Sequence, residues 1–292
     1  MKQIGFLVFI GLFVLTMGCS NQKSKSRNET ASAPVLKSVQ IQGAVGILQA
    51  EIQIPALKPN ESCPMVILMH GVMSSKEDPL MRSLADSLQN KGIASIRFDF
   101  DGHGESEGEF INMTVPKEVE DAHAVFDYCR HLNFVTSISA LGHSQGGVVT
   151  SLLGGELRDS IKSIVLMAPA AVLADQARQG NTLGSQYDPN NIPEYIDVFN
   201  HKIGRAYIAS AQKLKIYETA ANYSGPVCII HGKADQIVPY SYSEKYDEVY
   251  NNSVLHLLEG ETHLFDKNQE LAVKIAVDFL EEQLQNKQNK EN

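Results

Sequence analysis

Ser137-Ile138-Ser139-Ala140-Leu141-Gly142-His143-Ser144-Gln145-Gly146-Gly147-Val148-Val149 is the stretch from which the fold can be read. Ser137–Leu141 has strand character, Val148–Leu157 has helix character, and Gly142-His143-Ser144-Gln145-Gly146 between them fits G-x-S-x-G. A chain passing from strand to helix in so few residues must turn sharply, which demands small neighbours. Gly142, Gly146 and Gly147 supply them. Such a turn holds the Ser144 hydroxyl out at the carboxyl edge of a sheet. The helix that follows offers free N–H groups and a favourable dipole to a developing anion.

Outward from this turn, strand-like and helix-like stretches alternate from Val35 onward, predicting an α/β fold with a mainly parallel sheet and crossover helices. Val39–Ile41 and Ala50–Ile54 read as an opening antiparallel pair. Met65–Met69 is a continuous apolar run, as expected of a strand buried on both faces. Leu80–Asn90 has helical periodicity and stops at Lys91-Gly92; Ala94–Phe98 is a strand; Val115–Leu132 is a helix with Pro116 in its first turn. After the strand Ile164–Met167 the pattern breaks. The segment from Ala170 to Ser224, with a helical patch around Tyr207–Leu214, is too long for a connection and reads as an inserted cap, at about 170–224. The alternation then resumes through Val227–Ile230, Ser243–Val249, Val254–Leu258 and Leu271–Leu284, giving one domain over 35–287.

A serine hydroxyl is a weak nucleophile until a base takes its proton, so a histidine is required. In this strand–turn–helix setting an acid and then a histidine follow the serine along the chain. Of nine histidines, His201, His231, His256 and His263 come after Ser144. His201 lies in the cap, His231 ends a strand and His256 alternates within one. His263, in the turn Glu259-Gly260-Glu261-Thr262-His263, is the one set to reach the sheet edge. Asp235, in His231-Gly232-Lys233-Ala234-Asp235 after a strand, is the candidate acid. Asp266 is read instead as the N-cap of the closing helix. Two oxyanion donors are expected, the Gln145 N–H and, from the loop His70-Gly71-Val72, the Val72 N–H. His70 is read as a loop brace. Asp99, Asp101, His103 and Glu105 crowd one loop, but H-E-x-x-H and paired-cysteine spacings are absent from the sequence, and the expectation is no metal and no cofactor.

Composition bounds the partners. The chain is 43% hydrophobic and 20% charged with a formal net charge of -9, which speaks against a nucleic-acid partner. Residues 1–18, an apolar run from Ile4 to Met17 after Lys2, read as a lipoprotein-type signal peptide, with Gly18-Cys19 as cleavage and acylation site. Residues 19–34, polar and without an apolar run, read as a disordered tether to the membrane. This predicts a lipid-anchored protein of the bacterial cell envelope. Cys63, Cys129 and Cys228 read as buried free thiols, with one disulfide left open. Homodimerisation is also left open.

Arg97-Phe98-Asp99-Phe100-Asp101-Gly102-His103-Gly104-Glu105-Ser106, Asn112-Met113-Thr114, the elbow through Val149 and Ala168-Pro169-Ala170-Ala171 resemble bacterial cinnamoyl (feruloyl) esterases of the α/β-hydrolase superfamily. Gly180-Asn181-Thr182 and Ile216-Tyr217-Glu218 in the cap extend the resemblance along nearly all of the mature chain. It implies the triad Ser144, Asp235 and His263, and a cap that forms an aromatic acyl pocket in which Asp175 and Tyr207 meet a phenolic hydroxyl. The sequence departs from the family at Val72, often aromatic there, and at Leu183, often polar. The expected substrates are small-molecule or plant-polysaccharide-linked hydroxycinnamate esters. The alternatives are a general short-chain carboxylesterase or acylglycerol lipase, a peptidase, and a non-catalytic binding lipoprotein.

Overall fold

A computed structural model describes residues 31–285. The expected signal peptide, Cys19 and all but residues 31–34 of the expected tether lie outside the described residues. The elements follow in chain order: β1 (Val35–Gln42), β2 (Ile47–Ile54), β3 (Cys63–Met69), α1 (Pro79–Asn90), β4 (Ala94–Phe98), α2 (Val115–Arg130), β5 (Val135–His143), α3 (Gln145–Leu157) and β6 (Ile164–Met167). Then come α4 (Val172–Gln179), β7 (Asn181–Thr182), β8 (Ser185–Gln186), β9 (Tyr195–Val198), β10 (His201–Gly204), α5 (Arg205–Ala211) and α6 (Ile216–Ala220). The chain closes with β11 (Val227–Gly232), α7 (Ser241–Val249), β12 (Ser253–Leu258) and α8 (Gln269–Gln285).

Eight strands form one sheet in the order β1-β2-β4-β3-β5-β6-β11-β12. The pairs β1–β2 and β2–β4 are antiparallel, and every pairing from β4 to β12 is parallel. The two-residue period of a strand sends alternate side chains to opposite faces. Met65, Ile67 and Met69 of β3 enter one apolar core, while Val66 and Leu68 enter the other. The same division splits Ile229 from Cys228 and Ile230 on β11, so both faces are covered and the strands read as unbroken apolar runs.

Local chemistry sets the helix ends. Asp78 Oδ1 caps α1 by accepting from Leu80 N–H at 2.8 Å, and Gly92, at φ 74°, ends that turn in the left-handed region. Thr114 Oγ1 caps α2. At the closing helix the structure corrects the sequence reading. Asn268 Oδ1 accepts from Leu271 N–H at 3.3 Å as the cap of α8, whereas exposed Asp266 accepts from Thr262 Oγ1 and Lys267 Nζ. Cys63, Cys129 and Cys228 are buried free thiols.

Between β6 and β11 the chain holds helices α4, α5 and α6 and two hairpins, β7–β8 and β9–β10. The hairpin tips are Leu183-Gly184 and Phe199-Asn200, with positive φ at all four residues. Positive φ at both central residues is the mirror-image turn whose twist suits a hairpin, although Leu and Phe adopt it with strain.

Candidate active site

Ser144 sits between β5 and α3 with φ 56° and ψ -119°, a strained conformation at the strand–helix junction. The junction is tight. A Cβ on Gly142 would lie 2.1 Å from Gly146 O, and one on Gly146 would lie 2.4 Å from both Met69 O and His70 O. Backbone contacts fix the turn: Ser144 N–H donates to Met167 O at 2.9 Å, and Ala170 N–H donates to Ser144 O at 3.0 Å.

The structure brings the three residues singled out as nucleophile, base and acid into one hydrogen-bonded chain. Ser144 Oγ lies 2.9 Å from His263 Nε2, and His263 Nδ1 lies 2.7 Å from Asp235 Oδ2. In this sense the Ser144 hydroxyl donates to the imidazole and the opposite N–H donates to the carboxylate. Such a chain can move the hydroxyl proton onto the imidazole while the carboxylate stabilises the resulting imidazolium. Ser144 and His263 are buried, and the Asp235 side chain is fully enclosed.

Asp235 is held by more than His263. Its Oδ1 accepts from Ile237 N–H and Val238 N–H, each at 2.8 Å, and its Oδ2 also accepts from His231 Nε2 at 2.9 Å. Burial pushes this carboxyl up, but the hydrogen bonds from His231 and His263 outweigh burial and hold it well below the usual carboxylate range. The His231 contact was not anticipated from sequence. His231 Nδ1 in turn meets Ser243 Oγ at 2.6 Å, and its Nε2 faces two acceptors, Asp235 Oδ2 and Val238 O at 3.0 Å, so Nε2 carries the proton. The i, i+4 spacing of His231 and Asp235 across a strand end is the only local signal for it.

His143 was also passed over. Its Nε2–H donates to His263 O at 2.8 Å, so it holds the backbone of the base. Burial, then the nearby His263, push its pKa down to about 4, and the ring is neutral at pH 7. His70 braces loops as expected: Nδ1 pairs with Gly71 O, and Nε2 accepts from Phe100 N–H at 3.2 Å. In the acidic loop, Asp99 and Glu105 close on Lys76 at 3.0 and 2.5 Å.

Val72 and Gln145 both line the cavity at Ser144. The loop carrying Val72 runs close over the serine, since a Cβ on Gly71 would lie 3.1 Å from Ser144 Cβ. The Gln145 side chain is clamped at both ends. Its Nε2 donates to Glu118 Oε1 and Oε2 at 2.8 Å, and its Oε1 accepts from Tyr207 OH at 2.8 Å. Burial drives the Glu118 pKa up to about 8 against the opposing Gln145 hydrogen bond, with Asp121 and Asp101 adding repulsion.

Two cavities flank Ser144. The inner one, about 30 Å³, runs beneath the cap past Val172, Leu173, Leu183 and Tyr207. The outer one, about 170 Å³, opens past His263, Phe199 and Leu264. Tyr207 thus lies at the site, but Asp175 does not. Its Oδ1 accepts from Arg178 and its Oδ2 from Tyr242 OH, each at 3.0 Å, and it lines a separate cavity with Tyr217 and Lys245. The pairing of Asp175 with Tyr207 around one phenol is therefore corrected. Asp175 faces the other side of α4, drawn there by Arg178 and Tyr242.

The chain is similar to known hydrolases and esterases. A family model described as serine aminopeptidase, S33 (Hydrolase_4), matches residues 60–195. The structure of Est1E from Butyrivibrio proteoclasticus with ferulic acid bound is similar at a TM-score of 0.81 and 34% identity, over 84% of this chain and 98% of that one. Esterase EstD of Thermotoga maritima is 25% identical over 70% of this chain and 52% of its own length. Protein ABHD12B of Homo sapiens is 25% identical over 65% of this chain and 51% of its own. This chain therefore spans about half the length of these last two relatives.

Proposed function

This chain belongs to the α/β-hydrolase family of serine hydrolases, and from that premise we propose that it cleaves carboxylic esters through an acyl-enzyme on Ser144, with hydroxycinnamates as the acyl class. The observation that carries the proposal is the unbroken Ser144–His263–Asp235 chain at the mouth of a cavity. Ser144 Oγ attacks the ester carbonyl carbon while its proton passes to His263 Nε2. The Val72 and Gln145 N–H groups receive the oxyanion. When the C–O bond breaks, His263 returns the proton to the departing alcohol oxygen. Water then repeats the sequence on the acyl-enzyme, releasing the acid and restoring the Ser144 hydroxyl.

The hydroxycinnamate reading is supported by the similarity to a ferulic-acid-bound structure and by Tyr207 in the inner cavity. Tyr207 OH already donates to Gln145, so its oxygen is left to accept from a phenol. A second reading, a short-chain carboxylesterase, is favoured by the small inner cavity, about 30 Å³. On the first reading an aromatic acyl group enters only as the cap side chains open. Hydrolysis of methyl ferulate against methyl butyrate separates the two: a higher kcat/KM on ferulate supports the first, and a higher one on butyrate the second.

The same proposal puts the protein at the bacterial envelope through an acylated Cys19. The intact mass of the mature chain tests it. A lipid increment on Cys19 is expected, and an unmodified N-terminus refutes the anchor.

A further inference from the structure

The proton path assigns the two cavities beside Ser144 to the two halves of an ester. The departing alcohol oxygen must collect its proton from His263 Nε2, so the alcohol leaves on the side that His263 lines. His263 lines the outer cavity and not the inner one, while Gln145 and Tyr207 line the inner one and not the outer. The outer cavity is walled by Val72, Met73, Leu183, Phe199, Ile237 and Leu264.

Three of these walls are large side chains that the fold leaves in water: Phe199 is 73%, Leu264 62% and Ile237 43% exposed. Met73, Leu183 and Phe199 also have φ of 60°, 48° and 45°, a left-handed backbone that non-glycine residues adopt at a cost. Strain and exposed apolar surface converging on one cleft call for an occupant that removes the surface from water. The polar groups at its base are already engaged. Ser74 Oγ donates to Asp78 Oδ2, Asp78 Oδ1 caps α1, and His143 Nε2 holds His263 O. A sugar would bring many hydroxyls to a wall with few free partners for them.

We propose that the outer cleft is a leaving-group subsite for apolar alcohols, alkyl or aryl, and that it selects against sugar-linked esters. This narrows the expected substrates away from polysaccharide, and it rests on the ester-hydrolase reading above.

The test holds the acyl group constant and varies the alcohol. Methyl, hexyl and pentose-linked esters of ferulate, and the same set of butyrate, are compared by kcat/KM. Partial burial of five added methylenes should favour hexyl over methyl by about tenfold, with the pentose ester below both. Phe199→Asn should reduce the hexyl-to-methyl ratio severalfold. Asn accepts positive φ, so the hairpin tip survives that change. Leu264→Ser should act in the same direction, while Leu36→Ser, on the edge strand β1, should keep the parental ratio. A flat alcohol series, a preference for the pentose ester, or a ratio unmoved by Phe199→Asn with Leu264→Ser would overturn the subsite while leaving ester hydrolysis standing. Failure to hydrolyse any member of either set would overturn both readings.

Discussion

On the floor of the site, at the carboxyl edge of the sheet, Asp235 accepts four hydrogen bonds, and His263 and His231 each contact groups at both ring nitrogens. In the roof, Leu183 and Phe199 occupy hairpin tips with strained backbones and only packing to hold their side chains. The floor is built from strand ends of a sheet buried on both faces, where a displaced atom breaks a hydrogen bond. The roof is built from strands of two to four residues, where a displaced side chain exchanges one apolar contact for another. On the proposed function, chemistry therefore belongs to the floor and selectivity to the roof. Substitutions below should change turnover by orders of magnitude, and those above should change ratios between substrates.

The largest effect is expected at Ser144. Ser144→Ala removes the attacking oxygen and should lower kcat by about 10⁶. The fold should persist, because the turn rests on Gly142, Gly146 and backbone bonds rather than on the hydroxyl. Reaction with a fluorophosphonate probe should be lost in the same variant. A variant retaining most of its activity would dissolve the distinction between floor and roof.

Next comes Asp235. Asp235→Asn keeps the shape but no longer stabilises a protonated His263, and kcat should fall by about 10⁴. Asp266→Asn, on the exposed Asp266, should leave turnover within a fewfold of the parent. Equal losses from the two would mean that the acid is not set by the β11 strand end. The stability of the floor also depends on pH here. The folded Asp235 carboxyl lies below its ordinary value, so its contribution is present above about pH 3.8 and is lost as pH falls below that.

The floor was legible in the sequence and the roof was not, for physical reasons. Gly142, Ser144 and Gly146 stand within five residues, so their spacing alone demands a sharp turn. Asp235 and His263 each follow an apolar strand directly, so the strand end fixes their place. The central strands β3 and β6 are nearly unbroken apolar runs because both their faces are covered. In the cap, β7 and β8 have two residues each, too few for any period to show, and the tips Leu183-Gly184 and Phe199-Asn200 lack the Asn-Gly pair that marks such turns. The contacts of Asp175 with Tyr242 and of Tyr207 with Gln145 span 67 and 62 residues, and no local pattern encodes them.

Glu118 joins floor to roof through Gln145, and its effect should be smaller. Below about pH 8 its buried carboxyl keeps a proton, and above that pH a charge forms beside Gln145, facing Asp101, Asp121 and Tyr207. Activity should decline on an alkaline limb near pH 8, and Glu118→Gln, a neutral isostere, should remove that limb while keeping turnover at pH 7 within a fewfold. The sign for stability follows from a folded pKa above the unfolded one. The stabilisation is full below about pH 4.5 and fades as pH rises to about 8, so the Tm of Glu118→Gln should gain on the parent across that window. A parallel pair of Tm curves would show that Glu118 titrates as an ordinary carboxyl.

The smallest effect is expected where the roof touches the floor by one hydrogen bond. Tyr207→Phe keeps the buried ring, which packs into the core, and removes the hydroxyl that donates to Gln145 Oε1. Leaving that buried oxygen without a donor should cost about 1–3 kcal/mol, visible as a lower Tm. Turnover of a small acetate ester should stay within a fewfold, since the Gln145 amide still holds Glu118 and its backbone N–H is untouched. The informative quantity is the preference for methyl ferulate over methyl cinnamate. A phenol that donates to the Tyr207 oxygen loses its acceptor in the variant, so a preference present in the parent should shrink severalfold. An unchanged preference alongside a lowered Tm would make Tyr207 a brace between cap and elbow, and would leave the selectivity of the roof to its apolar side chains alone.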